Sequence, residues 1–156
     1  MRRLLPLLLL SLTACGAEPG TTTPPPTTTV ATYVRTPQDC AKLTVTPLSV
    51  ESGIGYIIGT HAEWLPNGQY VRIRVAITNT DSTFHTTRPT DYQLDDAADR
   101  PHQTSVDAME IKRQPNEPTI GAGNRLEMDL WYDIPTDTAP KVLRDTTCAT
   151  TIPLPA

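Results

Sequence analysis

The sequence predicts an all-β sandwich, and three observations carry that prediction. From Tyr70 to Thr78, Val71, Ile73, Val75 and Ile77 alternate with Arg72, Arg74, Ala76 and Thr78. A period of two built from β-branched residues suits a strand with one buried face and does not suit a helix. The same alternation recurs from Arg125 to Ile134, with Leu126, Met128, Leu130, Tyr132 and Ile134 on one face and Arg125, Glu127, Asp129, Trp131 and Asp133 on the other. Finally, the chain beyond residue 36 consists of short apolar runs between turn residues, with no amphipathic helix and no internal repeat. Strands of this kind bury their apolar faces by packing sheet on sheet.

In chain order, Leu43, Val45 and Val50 form a first strand, in which Pro47 marks an edge or a bulge. Tyr56, Ile57 and Ile58 follow Gly53 and Gly55 as a short apolar stretch. Pro66-Asn67-Gly68 predicts a turn, since Asn-Gly tolerates positive φ. It leads into the Tyr70–Thr78 strand, which Asn79-Thr80-Asp81-Ser82 ends. Tyr92 and Leu94 predict another strand before the polar turn 95–99. Pro115, Glu117 and Pro118 fall in a loop. Gly121-Ala122-Gly123 precedes the second long strand, and Pro135 stops it. Val142, Leu143 and the stretch from Thr147 to Leu154 supply closing strands.

Ahead of this domain the chain changes character. Arg2 and Arg3 precede an apolar run of Leu4, Leu5 and Leu7 to Leu10, the n-region and h-region of an export signal. The run falls short of the roughly 20 apolar residues that span a bilayer. Leu12-Thr13-Ala14-Cys15 directly after it resembles the lipobox of bacterial lipoproteins. That resemblance implies cleavage after Ala14 and a diacylglycerol thioether on Cys15, with the protein held on the extracytoplasmic face of the cell membrane. Ordinary signal cleavage wants a small residue at minus three, where Leu12 would stand. The next residues, through Thr21-Thr22-Thr23-Pro24-Pro25-Pro26-Thr27-Thr28-Thr29, have the composition of a semi-rigid spacer. The organisation is thus a signal peptide over 1–14, the lipidated cysteine and linker over 15–35, and the β domain over 36–156.

Charge narrows the partners. The whole chain carries a formal net charge of −4, and loss of Arg2 and Arg3 leaves 11 basic against 17 acidic residues, or −6. Such a surface opposes nucleic acid and anionic lipid heads, so membrane attachment falls to the lipid on Cys15. With Cys15 so used, Cys40 and Cys148 remain. An even count in an oxidising compartment predicts one disulfide that closes a loop of roughly 100 residues.

Gly68 with Val71 to Asn79, Leu94 with Asp95 and Asp96, and Gly121 to Gly123 with Leu130 to Pro135 together resemble a telokin-like, immunoglobulin-like domain family of unknown function. The resemblance covers most of the chain from Cys40 onward. It departs from the family's pattern in two places: Gly121-Ala122-Gly123 stands for the usual Pro-Gly, and the acidic hairpin turn lacks a glycine. The resemblance implies an immunoglobulin-like β-sandwich and an extracytoplasmic location. It assigns no catalytic residue.

Candidate chemistry is sparse. His61, His85 and His102 are isolated, without the close ligand pairs of zinc motifs, and are expected in exposed loops. Asp91, Asp95, Asp96 and Asp99 form an acidic group that raises calcium, although their spacing is not an EF-hand and a solvated turn accounts for them equally. Glu127 and Asp129 read as a solvated sheet face beside Arg125 rather than as a catalytic carboxylate pair. No nucleophile elbow, P-loop or dinucleotide fingerprint is present, and no cofactor is implied. Trp131, on the polar face of its strand, and Trp64, in a loop, are candidate contacts for an envelope protein or glycan, with burial under a neighbouring loop as the alternative for Trp131. The expectation is a non-catalytic binding module. An enzyme acting on cell wall or esters, and an accessory or solute-binding part of a surface assembly, are the alternatives.

Overall fold

The structure, a computed structural model, describes residues 35–155. The signal peptide, the lipobox with Cys15 and the Thr/Pro run lie outside the described residues. The fold is an antiparallel β-sandwich. Its strands are β1 (Leu43–Ile54), β2 (Ile57–Ile58), β3 (Glu63–Trp64), β4 (Gln69–Asn79), β5 (His85–Thr86), β6 (Tyr92–Asp96), β7 (Pro101–His102), β8 (Thr119–Ile120), β9 (Arg125–Ile134), β10 (Pro140–Asp145) and β11 (Thr150–Pro153). Among the described residues one α-helix, α1 (Val106–Ile111), lies between β7 and β8.

The first sheet has the order β1-β4-β9 and the second the order β11-β10-β6-β7, with the small pairs β2-β3 and β5-β8 beside them. The two strongest sequence signals are hydrogen-bonded to each other, with Ile73 opposite Leu130 and Val75 opposite Met128. Their apolar faces are buried in register, and Val71, Ile73, Val75 and Ile77 are wholly inaccessible. Tyr92, Leu94 and Leu143 of the second sheet complete the same core. The Tyr132 hydroxyl donates to the Tyr92 carbonyl at 3.2 Å and so links the two sheets.

Pro47 marks both an edge strand and a bulge. β1 is at the sheet's edge, and its register shifts between Pro47 and Ser49 and again between Glu51 and Ile54. Gly68 is required for a different reason from the one its dipeptide suggests. It is not among the residues with positive φ; instead, a Cβ there would collide with the Ile134 carbonyl oxygen and stand 2.9 Å from both the Ile134 carbonyl carbon and Pro135 Cα. The turn is fixed from outside, because Asp133 accepts from the Asn67 and Gly68 amides at 2.7 and 3.0 Å.

The helix contradicts the expectation of a helix-free domain. Six residues are too few to display a 3.6-residue period. What specifies α1 is its cap: Ser105 Oγ accepts from the Ala108 amide, while Ala108 and Met109 are buried. Cys40 and Cys148 form the expected disulfide, at a sequence separation of 108.

Candidate binding cleft over Trp131

The outer face of the β1-β4-β9 sheet begins with Trp131, which stands opposite Arg72 across the β4-β9 ladder, while Arg72 stands opposite Glu51 across β1-β4. Alternation points Trp131 away from the core. It is nevertheless only 4% exposed, so of the two alternatives for Trp131 the structure has the covered one. Tyr70 packs edge-on against the indole at 6.3 Å. The Arg72 guanidinium and Lys112 ammonium lie 5.9 and 5.7 Å from the indole centroid, within cation–π range. The chain leading into α1 is tied to the same strand where the Ser105 amide donates to the Trp131 carbonyl at 2.7 Å. The indole Nε1 has no hydrogen-bond partner.

Beside this tryptophan is an open cleft of about 440 Å³. Glu51 to Ile54 of β1 form one wall, Tyr56 to Ile58 another, and Arg72, Lys112 and Trp131 contribute the base. Lys112 closes the end of α1 and donates to the Ile58 carbonyl at 3.3 Å, so helix and hairpin are joined at the cleft's edge. Trp64 is on β3 of the same hairpin, opposite Ile57. It is 44% exposed, and a side-chain carbon at Gly59 would stand 3.2 Å from its Nε1 and 3.4 Å from Ile111. Tyr56, Ile58 and Leu65 are exposed along this hairpin. Of the two sequence candidates, Trp131 borders the cleft, while Trp64 is exposed on the neighbouring hairpin and does not line it. Sequence reasoning missed Arg72, Lys112 and Tyr56. The available signal was Tyr56-Ile57-Ile58 set between Gly55 and Gly59, an apolar run in a segment too short for a core strand.

The other candidates are dispersed. His61 is exposed, as expected. His85 is not: it is buried, with Nε2 2.9 Å from Asp81 and Nδ1 3.5 Å from Asp39. His102 is half-buried with its Nε2 3.0 Å from Asp96. In both cases a carboxylate compensates the polar ring for burial. The His85 hydrogen bond, followed by those of the Ser82 amide and Lys42, holds the Asp81 carboxyl below the ordinary carboxylate range.

The acidic group does not converge on a common point. Asp91 accepts from the Arg88 amide at 2.8 Å, Asp95 pairs with Arg144, and Asp99 pairs with Lys141 at 2.5 Å. Asp96 is fully buried and accepts from the Ala98 and Arg100 amides, the Arg100 guanidinium and His102. Among the described residues, no three His, Cys, Asp or Glu side chains are placed to hold a metal. Glu127 is exposed and bridged by Arg74 and Arg125. The Arg74 hydrogen bond, with the Arg125 charge, draws its carboxyl below the usual range.

Among the described residues no helix is long and apolar enough to cross a membrane. No protein-family model and no curated sequence matches the chain. Among solved structures it is similar to the yjhA protein from Bacillus subtilis, at 19% identity and a TM-score of 0.46, over 60% of this chain and 66% of that one.

Proposed function

We propose that this chain is a non-catalytic binding module of the bacterial cell envelope, anchored on the extracytoplasmic face of the membrane by a lipid on Cys15, and that its immunoglobulin-like domain takes a ligand at the cleft over Trp131. The anchor rests on the lipobox resemblance. The binding site rests on one observation: Tyr56, Ile58, Trp64 and Leu65 are exposed together on a short hairpin beside an open cleft. Clustered apolar and aromatic groups on a rigid support are the surface features that recognition uses.

Photo-crosslinking in cells tests this reading. A photoreactive residue at Ile58 should capture a reproducible partner, and Tyr56→Ala or Trp64→Ala should diminish the capture. A probe at Thr151, exposed on β11 of the other sheet, should capture little. Equal capture from both positions would refute the cleft. Trp131→Ala is the wrong variant here, because emptying a buried tryptophan site costs about 3–5 kcal/mol of stability.

A further inference from the structure

We infer that the cleft over Trp131 accepts an anionic saccharide, whose carboxylate or phosphate group binds between Arg72 and Lys112 while a sugar ring lies against Tyr56. The inference rests on the cleft being the binding site. The protein is acidic overall, with a formal net charge of −4, yet the charged side chains lining the cleft are Arg72, Lys112 and the single carboxylate of Glu51. The local sign is therefore opposite to that of the molecule, and an anion is drawn to this face while repelled elsewhere.

The two cations are available for exchange. Arg72 is paired with Glu51 at 2.7 Å, but the side chains are 40% and 55% exposed, and such surface pairs are weakly held. An incoming anion can take the place of Glu51 on the guanidinium, which is shaped to hold two oxygens at once. Lys112 spends one donor on the Ile58 carbonyl, and an ammonium carries three.

A saccharide fits better than a peptide for two reasons. Tyr56 is 51% exposed and offers an aromatic face with a polar handle at the rim. A peptide would add itself as a strand along β1, but the β1 register is broken between Glu51 and Ile54, where the strand borders the cleft. Bulges at sheet edges discourage such pairing.

Calorimetric titration of the full-length protein in detergent tests the inference with four probes: an oligogalacturonate, a phosphate-bearing oligosaccharide, a neutral cello-oligosaccharide and an oligoglutamate peptide. Either of the first two should bind, more weakly as salt rises. Arg72→Gln and Lys112→Gln should each weaken that binding on the order of tenfold, as loss of one charged partner does. Glu51→Gln should tighten it, by removing the internal competitor. Neutral sugar binding as well as the charged ones, with loss in Tyr56→Ala, would overturn the anionic preference and leave the cleft standing. Stronger binding of oligoglutamate would overturn the saccharide. If no probe binds while Ile58 still captures a partner in cells, the ligand class is wrong and the site is right; silence in both experiments removes both.

Discussion

Nη1 of Arg35 lies 2.7 Å from Oδ2 of Asp145, with the two side chains only 2% and 3% exposed. The same guanidinium donates to Cys148 Sγ at 2.9 Å and approaches the Tyr92 hydroxyl at 3.4 Å. The first described residue is thus pinned to the end of β10 and to the disulfide. Arg35, assigned to the linker by the sequence, is therefore packed into the domain, because its guanidinium is buried against Asp145 and the disulfide.

Breaking that pair should be costly. Arg35→Met leaves the Asp145 carboxylate buried without its cation, and loss of one partner of a buried pair destabilises by about 3–5 kcal/mol. Adding Asp145→Leu should recover much of the loss, because the second charge is then gone as well. Urea unfolding of the single and double variants measures this, and a single-variant loss below about 1 kcal/mol would place the pair among weak surface contacts.

Two backbone positions make opposite predictions. Gly68→Ala drives a methyl group into the Ile134 carbonyl and Pro135, and overpacking against a backbone that cannot yield should cost about 1–3 kcal/mol. Asp99 has φ 58 in the turn after β6. Asp99→Gly relieves left-handed strain of about 1–2 kcal/mol, offset by loss of the exposed Lys141 pair and by added freedom in the unfolded chain. A thermal midpoint unchanged or raised is expected for Asp99→Gly, and a clear fall for Gly68→Ala. Equal falls would mean that the Asp99 side chain contributes more than its backbone costs.

The contrast shows what was legible. Val71 to Ile77 and Leu126 to Ile134 announced their strands because alternation alone determines which face is buried, and the structure pairs those faces. The disulfide was legible from a count. Whether Trp131 is exposed or covered could not be read, because alternation gives the direction of a side chain and says nothing of what covers it. Here the cover is Lys112 at the end of a six-residue helix, together with Tyr70 and Arg72. His85 was misjudged for a related reason: Asp81 lies only four residues away, but Asp39 comes from a separate segment that only the fold brings close, and the covering of the ring is tertiary. Of the cleft, Trp131 could be picked out as a candidate, while the cations that give it a charge could not.

Asn79 ends β4 and is wholly buried. Its Nδ2 is placed to donate to the carbonyls of Thr83, Ile120 and Gly121 at 2.7, 2.9 and 3.0 Å, while Oδ1 accepts from the Asp81 amide at 2.9 Å. Asn79→Asp keeps the shape and replaces the donor with a carboxylate facing carbonyl oxygens. Leaving buried acceptors unpaired costs about 1–3 kcal/mol, and more where charge is involved. Asn79→Asp should therefore unfold at lower urea than Asn79→Ala, an order that simple loss of side-chain volume does not produce. The reverse order would remove Asn79 as the joint between β4 and the loop that precedes β9.

Acid and alkali should act through different residues. Burial pushes the Asp96 carboxyl upward, but the His102 hydrogen bond, the Arg100 amide and guanidinium and the Ala98 amide together outweigh it, and the group ends below its ordinary value. A depressed carboxyl stabilises the fold above the unfolded value, about 3.9, and that contribution disappears as pH falls through the lower folded value. Asp96→Asn should lower stability at pH 7 and flatten its decline in acid, as measured by urea midpoints between neutral pH and about pH 2. In alkali the sign reverses. Burial pushes the Tyr92 hydroxyl up to about 12, against the pull of the Thr87 hydrogen bond and the Arg35 charge, and burial holds Tyr132 well above its usual value. Their contribution is complete below about pH 10, the unfolded value, and is lost as pH rises through 12 for Tyr92. Tyrosinate absorbance from these two should therefore rise together with loss of the fold. Titration of both near pH 10 in a protein that is still folded would show that the interface between the sheets is open to water.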